Sequence, residues 1–119
     1  LVGIAGGKGY ALRIAPDGTL LWARTDFLEE NATNASDDVW DVAVTPEGYI
    51  AIVGQETTYE NILDFFPRMV RQNFLVLLDS DGNLVWRTDL GNTSVYGVTY
   101  TQQGTFMTCG ITSDYLTLI

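Results

Sequence analysis

A chain of 119 residues that is 46% hydrophobic and 12% aromatic is long and apolar enough to fold as one packed domain. Fifteen acidic residues against six basic ones, with no histidine, leave a net charge of −9, which repels phosphate backbones and anionic lipid and so excludes nucleic acid as a natural partner. No apolar run approaches the ~18 residues of a membrane span, so membrane insertion is not expected, and any signal peptide or anchor is expected to have been removed or to lie outside this stretch.

In chain order, β-branched, aromatic and aliphatic runs between Gly, Pro and Asp predict ten strands and no long helix. They fall at 1–6, 10–14 and 20–25, then at 39–45, 49–54, 74–79 and 84–89, and finally at 95–101, 105–111 and 115–119. The order repeats. Residues 12–22 match 76–86 at a spacing of 64 (86 − 22), and Val39-Trp40-Asp41-Val42 matches Val95-Tyr96-Gly97-Val98 at a spacing of 56 (95 − 39). The chain therefore divides into a partial unit at 1–25, a complete four-stranded unit at 39–89 with an insertion at 55–73, and a partial unit at 95–119.

Within each unit the first and second strands, and the third and fourth, are joined by near-identical links: Pro16-Asp17-Gly18, Pro46-Glu47-Gly48, Ser80-Asp81-Gly82 and Gln102-Gln103-Gly104. Each suits a type I turn closed by a left-handed Gly, hence an antiparallel hairpin with a bulge. Phe74-Leu75-Val76-Leu77-Leu78 is apolar at every position rather than at alternate ones, so its sheet must be covered on both faces. Stacked four-stranded meanders meet that requirement, and the expected fold is all-β, about two and a half blades of a β-propeller, with a two-sheet sandwich ranked second. Open end faces would forfeit about 1.5–3 kcal/mol per large side chain, so further repeats or identical chains are expected as partners.

The run Leu77-Leu78-Asp79-Ser80-Asp81-Gly82-Asn83-Leu84-Val85-Trp86, followed by Val95-Tyr96-Gly97-Val98, resembles the quinoprotein-like (PQQ-like) propeller repeats of secreted bacterial and archaeal proteins. The resemblance implies that Trp22 and Trp86, each four residues after a turn Gly, are blade-docking tryptophans. Enzymes of that family hold pyrroloquinoline quinone and a metal on the axis of a complete propeller, and none of those site residues is visible in this sequence.

All length variation falls on one rim, in the loops at 26–38 and 90–94 and in the insertion at 55–73. Three Asn-x-Ser/Thr triplets, at Asn31, Asn34 and Asn92, lie in the first two of these loops, where the composition predicts about one by chance, which points to an exported chain carrying N-linked glycans. The insertion carries Tyr59, Phe65, Phe66 and Arg68. A short helix over about 60–66, stopped by Pro67, is expected there, either capping its own unit or serving as a partner contact.

Asp37, Asp38 and Asp41 are the weak candidates for a metal, Ca²⁺ being the cation that such oxygens would take, against the alternative of a solvated acidic loop. Asp79, Asp81 and Asn83 read as hairpin turn residues, and Gly3, Gly6, Gly7 and Gly9 as a tight turn rather than a phosphate loop. Without His, and with no Ser or Cys beside an activating base, no catalytic residue is assigned. Cys109, the lone cysteine, is expected to be a buried thiol, and Trp40 and Tyr96 are expected to be core. The function expected is an extracellular, non-enzymatic structural or interaction module that repeats or self-assembles at a cell surface. The alternatives are part of a quinoprotein-type enzyme and a sugar-binding propeller.

Overall fold

The computed structural model describes residues 2–5, 8–25, 35–62, 66–91 and 94–111. It is all-β and antiparallel, with no helix among the described residues. Among the described residues nine strands form three open sheets, two of them meanders and the third a hairpin. The first contains β1 (Val2–Ala5), β2 (Lys8–Ile14) and β3 (Leu20–Arg24). The second runs β4 (Ala35–Val44), β5 (Ile50–Ile62), β6 (Phe66–Leu78) and β7 (Leu84–Gly91). The third pairs β8 (Ser94–Tyr100) with β9 (Phe106–Ile111). The strand expected at 115–119 lies outside the described residues.

The four short hairpin links share one construction. Gly18, Gly48, Gly82 and Gly104 have φ of 90, 91, 87 and 81°, a region where a Cβ is strained. In each, the Gly N–H donates three residues back, to the carbonyl oxygens of Ala15, Thr45, Asp79 and Thr101. A side chain then steadies the return strand: Thr45 Oγ1 accepts from Tyr49 N–H, Thr101 Oγ1 from Thr105 N–H, and Asp79 Oδ1 from both Asp81 and Asn83 N–H. Ala15 has no such oxygen, and there Asp17 Oδ1 accepts from Thr19 N–H instead.

Packing follows from the all-apolar β6. Its even-numbered residues Phe74, Val76 and Leu78 join Ile50 and Ile52 on one face and meet Ala11 of β2, Val39 of β4 and Trp22 of β3. The odd-numbered Leu75 and Leu77 join Ala51 and Val53 on the other face and meet Val95 and Val98 of β8. Phe74 to Leu78 are each no more than 8% exposed, so the second sheet is buried on both faces between the first and the third. Each of these large side chains contributes about 1.5–3 kcal/mol relative to exposure.

Two local expectations are corrected. Residues 60–62 and 66 are strand, not the start and end of a helix: β5 and β6 run on in continuous register to Ile62↔Phe66. Residues 55–62 and 66–73 thus form a β-ribbon that prolongs the hairpin, and pairing wins over helical spacing because the two strands are already zipped at its base. Similarly, Asp37 and Asp38 belong to β4, opposite Glu56 and Gln55, rather than to a solvated loop.

Candidate functional site

Strand alternation is broken at one place in both β4 and β8. Val39 pairs with Gly54 and Asp41 with Val53, leaving Trp40 as the extra residue of a bulge; Val95 pairs with Gly110 and Gly97 with Cys109, leaving Tyr96 in the same role. A bulge re-aims its extra side chain. Here it turns two aromatic rings outward: Trp40 is 42% and Tyr96 46% exposed, and their centroids lie 5.6 Å apart in an edge-to-face pair. The expectation that both are core is therefore overturned. The sequence does contain the signal, because Val39 and Val42 both face the first sheet and Val95 and Val98 both face the second. Apolar residues three apart on a single strand face require an inserted residue between them.

The acidic residues beside this pair are engaged with the backbone. Asp37, 1% exposed, accepts the Gly9 N–H at 2.6 Å through Oδ1. Asp41 accepts from Val42 N–H at 2.9 Å and, through Oδ2, from Val98 N–H at 3.0 Å. Both carboxylates thereby link neighbouring sheets. No group of three or more metal-ligating side chains occurs among the described residues.

Trp22 lies between the first and second sheets. Its Nε1–H donates to Ser80 O at 3.0 Å, and its ring lies over Gly82, where a Cβ would come within 2.9 Å of Cδ2. Arg13 and Arg24 reach the same turn, donating to Ser80 O at 2.5 Å and Gly82 O at 3.2 Å. Trp86, its counterpart one unit later, is 37% exposed and meets Phe106 edge-on at 6.3 Å. No family model matches the chain, and no curated protein or solved structure matches it.

The remaining sequence candidates are dispersed. Tyr59 and Arg68 stand on the ribbon opposite Met69 and Glu60, and Phe66 stands opposite Ile62. Phe65, Asn31, Asn34 and Asn92 lie outside the described residues. At the ribbon's base Arg87 contacts Glu56 at 2.6 Å and Asp89 at 3.3 Å and lies 4.8 Å above the Phe74 ring. Backbone donors act on two turn carboxylates: hydrogen bonds from Thr19 hold Asp17, and from Asn83 and then Asp81 hold Asp79, below the ordinary 3.8. Cys109 is exposed rather than buried. Its equivalent Val53 is covered by β8, whereas no described sheet lies over the outer face of β9.

Proposed function

We propose that the chain is a run of blades from an extracellular, glycosylated β-propeller of quinoprotein-like type, acting as a structural or interaction module rather than as an enzyme. The observation that carries this reading is the burial of the second sheet on both faces through equivalent residues, Val39 and Val42 at one interface and Val95 and Val98 at the other. One docking geometry used twice is what a stack of repeats needs, and further repeats or identical chains are its natural partners. The three sequons support an exported, glycan-bearing rim. The test is intact mass and native assembly state of material from its own source, before and after enzymatic deglycosylation. The expected result is excess mass that falls on treatment, from a particle larger than one chain. An unmodified, monodisperse monomer would sink the proposal.

A second reading is favoured by the bulged aromatic pair. Trp40 and Tyr96 present adjacent exposed rings from equivalent positions, which suits the apolar C–H face of a sugar ring. Titration of neutral oligosaccharides against tryptophan fluorescence should then give a saturable change that Trp40→Ala abolishes. A flat titration excludes this reading.

A further inference from the structure

The sheet edge formed by β6 opens in mid-chain, where the strand beside it is turned away. β7 pairs with β6 only as far as Asn73↔Gly91, whereas β6 runs seven residues further toward the ribbon tip, to Phe66. Gly91 takes a φ of 77°, and Asn73 fixes the departure with both ends of its side-chain amide: Nδ2–H donates to Gly91 O at 3.1 Å, and Oδ1 accepts from Val95 N–H at 3.3 Å. The chain thereby passes from the second sheet to the third. Among the described residues, no strand lies beside positions 66–72 on that side.

The main-chain groups along this edge follow from alternation. Asp79, just past the end of β6, donates its N–H to Asn83 O on the returning strand. β6 pairs with β5 without a register shift from Leu78 to Phe66, so its odd-numbered positions turn N–H and C=O to the β7 side and its even-numbered ones to β5. Met69 and Arg71 therefore present main-chain donors and acceptors at the open edge. Pro67 has the same parity, where its missing N–H removes no bond to β5, and an edge is where a sheet admits proline.

Charge on this edge runs against that of the chain. Positions 66–72 carry Arg68 and Arg71 and no acid; with Glu60, which stands opposite Arg68, the outer ribbon at 57–62 and 66–72 totals +1 (2 − 1), against −9 overall. Beyond Ala35↔Thr58 the ribbon has two strands among the described residues. A two-stranded ribbon is marginally stable in water until a third strand joins it.

We infer that the β6 edge at Arg68–Gln72 accepts an extended acidic segment of a separate protein, added antiparallel as a third strand of the ribbon. Main-chain bonds to Met69 and Arg71 supply the affinity, and charge complementarity selects the sequence. Acids opposite Arg68 and Arg71 fall three residues apart on the incoming strand, with the partners of Met69 and Val70 between them. The occupant therefore reads acid, apolar, apolar, acid. A compact ligand could not use main-chain groups in series, and a nucleic acid is repelled by the chain as a whole. The inference stands independently of ring closure and glycans.

The test titrates the isotope-labelled full chain with the peptide Thr-Glu-Val-Ile-Glu-Thr, capped at both ends, and follows amide resonances. Expected are saturable shifts from Arg68 to Gln72. In the antiparallel register the first Glu pairs with Arg71 and the Ile with Met69. Methylating those two peptide nitrogens should weaken binding about tenfold or more, whereas methylating the Val nitrogen, which points away, should change it by less than about twofold. Replacing both Glu by Lys should weaken binding by about tenfold as well. The chain variant Arg68→Glu/Arg71→Glu should reverse the preference and bind the Lys peptide better, which also shows that its ribbon still forms. Absence of shifts at 68–72, equal binding of the Glu and Lys peptides, an unreversed preference in the variant, or equal effects of methylation at all three nitrogens would each overturn the inference. So would self-association that perturbs the same resonances and excludes the peptide, which would assign the edge to a second copy of the chain.

Discussion

Trp22 and Trp86 hold the same place in the repeat but not the same surroundings, and the contrast sets a measurable asymmetry. Trp22 packs on the cluster of Ala11, Val39, Phe74 and Leu78 and donates to Ser80 O at 3.0 Å. Trp86 leaves 37% of its surface exposed and has Phe106 edge-on as its aromatic neighbour. Removing a well-packed tryptophan costs about 3–5 kcal/mol. Partial burial puts the packing loss at Trp22 at the lower end, about 3 kcal/mol, and the lost hydrogen bond adds about 1 kcal/mol, so Trp22→Ala should cost about 4 kcal/mol. Trp86→Ala, scaled for its exposure, should cost about half as much. Trp22→Phe should fall between wild type and Trp22→Ala, because it keeps most of the packing and loses the bond. Urea unfolding followed by circular dichroism reads these differences directly. With a slope of about 2 kcal/mol per M, the two alanine variants should differ in midpoint by about 1 M. Equal midpoints, or a larger loss at Trp86, would refute the claim that docking onto the Ser80–Gly82 turn makes the difference.

Three further outcomes are expected. Asp37→Ala should destabilise by about 1–3 kcal/mol, because the buried Gly9 N–H loses its acceptor; Asp37→Asn, which keeps an oxygen there, should recover part of the loss in the same urea assay. Gly54→Ala should cost about 3 kcal/mol or prevent folding, since the new Cβ would sit 2.2 Å from Asp38 O and 2.7 Å from the Phe74 ring, and soluble yield with thermal unfolding reports it. Asp17 and Asp79 are both held below 3.8 by backbone donors, so the stability they add is present above that pH and is lost as pH falls below it through their folded values. The urea midpoint should therefore decline in that acid range, and less steeply in the double variant Asp17→Ala/Asp79→Ala.

What could be read from residues alone was whatever local chemistry decides. The hairpins at Gly18, Gly48, Gly82 and Gly104 were legible because a left-handed turn residue has few substitutes, and the double burial of Phe74 to Leu78 because no alternation of polarity interrupts it. The ribbon at 55–62 and 66–73 was not. Its side chains carry no clean two-residue period, and its strand state is imposed by zipping outward from Gly54↔Phe74. Trp40 and Tyr96 were misjudged for a related reason. Aromatic residues within apolar strands default to the core, and only the three-residue step from Val39 to Val42 and from Val95 to Val98 discloses the bulge that turns them out. Cys109 is exposed although its counterpart Val53 is buried against β8, because burial depends on what lies opposite as well as on position in the strand.

Apolar stacking by itself is non-directional and would let neighbouring sheets slide; the polar links between them remove that freedom. Gly9 and Asn73 are equivalent, 64 residues apart (73 − 9), yet they solve the same problem in opposite ways. At the later interface the Asn73 side chain accepts the Val95 N–H at 3.3 Å while donating to Gly91 O at 3.1 Å. At the earlier one position 9 has no room for a side chain, because a Cβ would fall 2.8 Å from Val39 Cγ1. The main chain must then be the donor, and the acceptor must come from the opposing sheet, which is where Asp37 stands. A polar link between adjacent sheets is thus kept at this position, with the N–H donor on the opposite sheet in the two cases. The buried carboxylate of Asp37, a weak metal candidate in the sequence, is accounted for as the acceptor that a position without a side chain requires.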